Sequence, residues 1–230
     1  MKRVKIGIQD GNMINLLEKL LYCNIKASDI FKKIPDEEIN QRQQEFTDLR
    51  RKQMVEEFLS YISSNCIKNA DGTYNCTKNI IIKQNSANPF TKLPIKFKEV
   101  AGHFICFGVN LKTLEGCPEK VGGNFDCSRN KLISLEYGPK EVGGKYDCSK
   151  NRLISLAGAP EIINKTFDCS NNLLSTLENA PKEINGDFIC SNNKLSSLKS
   201  LSSNIKGKID CTNNILNSKL LLKTLENKYD

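Results

Sequence analysis

The sequence predicts an α+β chain: a right-handed solenoid of short parallel strands, preceded by a helical segment and closed by a short C-terminal helix. Three observations predict it. Six cysteines, at 106, 127, 148, 169, 190 and 211, stand 21 residues apart. Apolar residues recur at fixed offsets around them. Proline recurs at 118, 139, 160 and 181, which excludes regular helix from the return arm of each unit.

The elements follow in chain order. Residues 1–66 carry no repeat. Met13, Leu16, Leu17, Leu20 and Leu21 form one helical stripe within Asn12–Asn24. Ser28-Asp29 is placed to cap a short helix through Ile34. Pro35, followed by Asp36, Glu37 and Glu38, is a strong helix start, and that helix should run to about Ser63. The segment is read as a cap on the array, with a separate docking domain as the alternative. Residues 67–99 hold a degenerate turn, Gly72-Thr-Tyr74-Asn-Cys76-Thr-Lys-Asn79, and then an expected protruding loop, Gln84–Glu99.

Residues 100–216 are the array. Two residues before each cysteine stand Phe104, Phe125, Tyr146, Phe167, Phe188 and Ile209. Aromatic-x-Cys is a two-residue alternation, so both side chains point to one face of a short strand. Asn130, Asn151, Asn172, Asn193 and Asn214 follow three residues after Cys. Stacked at one strand spacing, their amides are placed to bond the backbone of adjacent turns. Leucines five and eight residues after Cys fill the interior. Gly102, Gly123, Gly144, Gly186 and Gly207 stand four before it, with Lys165 the exception. Twenty-one residues cannot hold a strand, a full helix and two loops, so the convex side should be extended or 3₁₀. In 217–230, Leu220, Leu221, Leu222 and Leu225 mark the closing helix.

The string Phe125-x-Cys127-x-x-Asn130-x-Leu132-x-x-Leu135 resembles the leucine-rich-repeat consensus. The repeat length and the convex proline resemble the short bacterial subtype found in type III-secreted effectors. Leu132–Asn151, LISLEYGPKEVGGKYDCSKN, is closer still to repeats of uncharacterised bacteriophage proteins. The resemblance covers about half the chain. It implies parallel strands on a concave face and says almost nothing of function.

Composition narrows the function. The net charge of +8 is spread: residues 1–100 hold 17 basic and 12 acidic residues, and the remainder 17 and 14. With no aromatic series on the exposed columns, nucleic-acid binding is not expected. No apolar run approaches a membrane span and no secretory signal is legible, so a cytoplasmic location is expected, of a host or a virion if the chain is phage-encoded. In that compartment the ten cysteines should stay reduced, with Cys23, Cys66 and Cys117 outside the ladder and Cys117 partly exposed. The single histidine, His103, lies on the opposite strand face from Cys106, and no catalytic motif is present. No enzyme, metal site or cofactor is expected.

The candidate site is therefore a partner-binding strip on the concave sheet. Ile105, Asp126, Asp147, Asp168, Ile189 and Asp210 lie between aromatic and Cys and should point outward. Arg129 and Lys150 are placed to offset repulsion in the aspartate column, and Lys145, Arg129 and Lys150 to fix the register of a basic partner element drawn to it; Phe107 with Ile105 and Val109 makes an apolar cluster, read as covered by the N-terminal segment or the 84–99 loop, with a partner's anchor site as the alternative. The function expected is a non-enzymatic protein–protein interaction module. The alternative is a structural adaptor of a virion or other assembly, docked through the N-terminal helices. A hydrophilic face left by repeat duplication would produce the same columns. The oligomeric state and the partner are not legible.

Overall fold

The computed structural model describes residues 36–82 and 91–216. The expected helices at 12–24 and 28–34, the closing helix and Cys23 lie outside the described residues. The chain divides into two units, Met1–Phe58 and Leu59–Asp230. In the first, α1 (Asp36–Ser63) begins directly after Pro35 and runs to its expected end, its last residues passing into the second unit. Phe46, Met54, Val55 and Phe58 are half-buried, and Leu49 is exposed. Arg51 pairs with Asp48 at 3.9 Å within the helix.

The second unit is a β-solenoid of about six turns with a 21-residue repeat. Each turn contributes two short strands, one to a sheet that runs the length of the array and one to a return-arm face divided into two sheets. The strand entering each cysteine builds a seven-stranded sheet: β3 (Ile80–Ile81), β5 (Phe104–Ile105), β7 (Phe125–Asp126), β9 (Tyr146–Asp147), β11 (Phe167–Asp168), β13 (Phe188–Ile189) and β15 (Ile209–Asp210). The register is strict: Phe125 pairs with Tyr146 and Tyr146 with Phe167.

The return arm supplies the second set, so the expected extended conformation is found there as true strand. Here β2 (Tyr74–Cys76), β4 (Phe97–Val100), β6 (Lys120–Val121) and β8 (Glu141–Val142) form one sheet, joined by the antiparallel β1 (Cys66–Lys68). A three-stranded sheet follows, β10 (Ile162–Ile163), β12 (Glu183–Ile184) and β14 (Asn204–Ile205). The division falls between β8 and β10, where the Asn164 side-chain amide donates to the Val142 carbonyl at 3.2 Å.

Alternation within each turn places the core. Phe104, Phe125, Tyr146, Phe167 and Phe188 are fully buried and stack turn on turn, with ring centroids 4.9–6.0 Å apart. The cysteines from 106 to 190 and the paired leucines of each turn fill the rest of the interior. One member of this stack is chemically mismatched. The Tyr146 hydroxyl is buried without a hydrogen-bond partner. A buried polar group left unsatisfied costs about 1–3 kcal/mol. Tyr146→Phe should therefore stabilise the protein by about 1 kcal/mol in urea unfolding; a loss of stability would show that the hydroxyl is satisfied.

Three expectations before residue 100 are corrected. Tyr74-x-Cys76 is not the first member of the aromatic–Cys column. It pairs with β4 on the return arm, Cys76 opposite Val100, while Ile80 takes the place opposite Phe104. The stretch expected to protrude also reaches the core, since Leu93 and Phe97 are buried. The chain is not wholly reduced: Cys66 and Cys76 face each other across the β1–β2 hairpin and are joined in a disulfide. Cross-linking a loop of this length contributes about 3 kcal/mol in the chain-entropy account.

Candidate functional site

Strand alternation brings the aspartates to the outward side of the seven-stranded sheet, yet they are not free carboxylates. The chain turns sharply after each cysteine, and the aspartate caps that turn. Oδ1 of Asp126 accepts from the Ser128 amide at 2.9 Å and its hydroxyl at 2.6 Å. Asp147 with Ser149, Asp168 with Ser170 and Asp210 with Thr212 repeat the pair of bonds. This is an Asx-turn at four strand exits, after β7, β9, β11 and β15, whereas Ile105 and Ile189 stand in the aspartate's place on β5 and β13. The Thr212 hydroxyl holds the Asp210 carboxyl below its ordinary value. The side chains of Asp147 and Asp168 are only 17% and 13% exposed.

Lys145 neutralises the middle of the column. Its Nζ lies 2.9 Å from Asp147 and 3.3 Å from Asp168. Burial pulls the ammonium pKa down, but the bonds to the two carboxylates outweigh it and hold it above its ordinary value. Among the described residues Arg129 and Lys150 make no ion pair; they occupy left-handed backbone, φ 57° and 55°, on the far side of the turn. The column is thus stabilised within each turn and by Lys145, with no part for Arg129 or Lys150. At the first-turn end, Phe107 is 40% exposed beside half-buried Ile105, and Ile81 stacks next to it on β3. Val109 is buried, so it leaves the apolar cluster in which the sequence placed it. Ile189 is half-buried in the same column as the aspartates.

Two polar ladders fix these columns. The asparagine ladder is the expected one. Asn172 Nδ2 donates to the carbonyls of Cys148, Cys169 and Ser170, and its Oδ1 accepts the Leu153 amide at 3.0 Å. Asn130, Asn151, Asn193 and Asn214 bridge neighbouring turns in the same way.

The second ladder was missed from sequence. Three residues before Cys, a short acceptor takes the backbone amide of the next turn. Asn79 Oδ1 accepts His103 N–H, His103 Nδ1 accepts Asn124 N–H, and Asn124 Oδ1 accepts Lys145 N–H, at 2.8–2.9 Å. Asp187 serves Lys208 likewise. This ladder explains the glycines at 102, 123, 144 and 207, whereas a Cβ on Gly186 would meet the Lys165 backbone instead, at 2.7 Å. A Cβ on Gly123 would lie 2.3 Å from His103 Nδ1, and one on Gly144 would lie 2.1 Å from Asn124 Oδ1. It also explains Lys165. The preceding ladder position is Lys145, which has no short acceptor, so the next turn has no rung to make room for. The signal was legible as a polar residue beside every glycine. His103 is a rung of this ladder, with its Nδ1 occupied by an amide.

The ladder thiols are chemically quiet. Burial pushes Cys127, Cys148 and Cys169 well above the ordinary thiol value of 9.0, and Cys190 up to about 12. Cys117, expected to be partly exposed, is buried against Cys106 and raised likewise. Among the described free cysteines only Cys211 is half-exposed. Iodoacetamide on the native protein should therefore label Cys211 well ahead of Cys127, Cys148 and Cys169; equal labelling would contradict the packing. A raised folded pKa contributes stability in full below 9.0 and loses it as pH climbs, for Cys190 toward about 12. Alkaline pH should accordingly weaken the fold.

Two further features complete the surface. A groove of about 800 Å³ lies over the return-arm strands, and four of its charged residues form two ion pairs, Lys120 with Glu141 and Lys182 with Glu161. Among the described residues no cluster of three His, Cys, Asp or Glu side chains is arranged to hold a metal ion, and no helix is long and apolar enough to cross a membrane. No family model, curated protein or solved structure matches this chain.

Proposed function

We propose that the chain is a non-enzymatic protein–protein interaction module whose partner lies along the outward face of the seven-stranded sheet. The observation that carries the reading is the apolar end of that face. Phe107 and Ile81 are exposed at the head of columns whose carboxylates are already held in place. Buried apolar anchors dominate affinity, while fixed rim charges set orientation and rate. Seven strands at about 4.8 Å spacing span roughly 29 Å, room for one standard interface. The burial of the ladder thiols and the engagement of His103 Nδ1 support a scaffold over a catalyst.

The asparagine ladder and the 21-residue unit support kinship with short leucine-rich repeats of bacterial or phage type. The return-arm sheet distinguishes this chain from a single-sheet horseshoe. On this reading the partner is a protein of a host cytoplasm or of a virion. The test is a quantitative pulldown read by mass spectrometry, comparing the full chain with Phe107→Ser/Ile81→Ser. Loss of one stoichiometric protein from the variant supports the reading. An identical set of captured proteins would overturn it.

A further inference from the structure

The basic residues of the array are not spread evenly around its circumference. The arc from two to seven residues after each cysteine comprises 108–113, 129–134, 150–155, 171–176, 192–197 and 213–216. It holds Lys112, Arg129, Lys131, Lys150, Arg152 and Lys194 and no carboxylate. All six are exposed, and among the described residues none is in an ion pair. The lysines that do pair, 92, 120, 145, 182 and 206, lie on other faces or outside the array. The neutral balance of the array thus conceals a one-sign surface.

Backbone hydrogen bonds stack this arc into columns. The Arg152 amide donates to Leu132 O and the Leu173 amide to Leu153 O, which aligns Lys131, Arg152 and Leu173. The Ile154 amide donates to Ile133 O, which sets those two side by side. Ile133 and Ile154 are 58% and 63% exposed, and Leu173 is 42% exposed. Aliphatic and cationic side chains therefore alternate on the second and third turns.

The backbone supplies a second observation. Position two after Cys is left-handed in every turn. The first turn fills it with Gly108, and the last three with Asn171, Asn192 and Asn213. Glycine and asparagine are the residues this conformation favours. Arg129 and Lys150 occupy it only in the two turns that also carry Lys131, Arg152 and the exposed isoleucines. The fold does not ask for cations there.

We propose that this arc is a second docking face, which takes an acidic, aliphatic-bearing segment of a partner protein. Carboxylates meet Arg129, Lys131, Lys150 and Arg152, and aliphatic side chains cover Ile133, Ile154 and Leu173. Single-stranded nucleic acid is the other polyanion to weigh. The arc has no aromatic side chain on which a base could stack, and its exposed aliphatic groups gain nothing from phosphate. The proposal rests on the reading of the array as a protein-binding scaffold, but it concerns a different face from the one headed by Phe107.

Fluorescence anisotropy on the full chain tests it with three probes: a synthetic acidic peptide with leucine at every third position, the same peptide with serine for leucine, and an oligothymidylate of equal charge. The leucine peptide should bind most tightly. Arg129→Asn/Lys150→Asn should weaken it by about tenfold while leaving the thermal midpoint unchanged or raised, because asparagine suits the left-handed position. Ile133→Ser/Ile154→Ser should abolish the preference for leucine over serine. Phe107→Ser should change neither, and it separates failure of this face from failure of the other. The proposal is overturned if the oligothymidylate binds as tightly as the leucine peptide, if the asparagine variant binds like the parent, if the leucine preference survives loss of both isoleucines, or if no probe binds.

Discussion

Asn172→Ala should destabilise the array by about 3–5 kcal/mol. The side chain is buried. Its removal takes the side-chain partner from two buried carbonyls, of Cys148 and Cys169, and from one amide, of Leu153, while the Ser170 carbonyl keeps the Lys150 amide. Each abandoned buried group costs about 1–3 kcal/mol, and partial relaxation reduces the sum. At about 2–4 °C per kcal/mol for a chain of this size, the thermal midpoint should fall by roughly 10 °C. Asn204→Ala, an exposed asparagine, should stay within about 0.5 kcal/mol of the parent. Equal effects from the two in urea unfolding would mean that the ladder contributes nothing.

Gly144→Ala should cost about 2–3 kcal/mol, because the new Cβ meets Asn124 Oδ1 at 2.1 Å and the Asn124 amide nitrogen at 2.9 Å. The chain itself supplies the control. Where lysine stands in the ladder, at Lys145, the next turn carries Lys165 in place of glycine. In an Asn124→Lys background the cost of Gly144→Ala should therefore fall by at least about 1 kcal/mol, a coupling that a double-mutant cycle reads directly. Strict additivity would show that the glycine column and the polar ladder are independent.

Much of the fold was legible because a repeat prints each of its packing rules several times. The cysteine interval, the aromatic two residues earlier and the asparagine three residues later define a strand, a core position and a ladder. Each is found as expected, and α1 begins after Pro35 as its acidic first turn predicts. The strand that was misplaced lies in a segment that occurs once. Tyr74-x-Cys76 copies the repeat's letters, but Cys76 is tied to Cys66 across a hairpin and pairs with the return arm. Pattern alone could not show that Ile80 takes the equivalent place. The aspartate column was placed on the correct face. Its bonds to the serine two residues on were not inferred, so carboxylates read as a free strip cap turns. The cationic arc escaped notice because Arg129 and Lys150 were assigned to the aspartate column nearby, which left Lys112, Lys131, Arg152 and Lys194 with no evident neighbours; the positive φ at Arg129 and Lys150 sets those two apart from the column.

Both proposed faces depend on one claim, that turns stack in a strict 21-residue register and so present their side chains in columns. Solution NMR on the isotopically labelled full chain tests it most directly, through nuclear Overhauser contacts between backbone protons of paired strands. The account predicts cross-peaks linking residues 21 apart, Tyr146 with Phe167 and Asp147 with Asp168 in one sheet and Glu183 with Asn204 in the other. Between paired strands within 100–216, a register other than 21 residues, or helical contacts four residues apart, would contradict it.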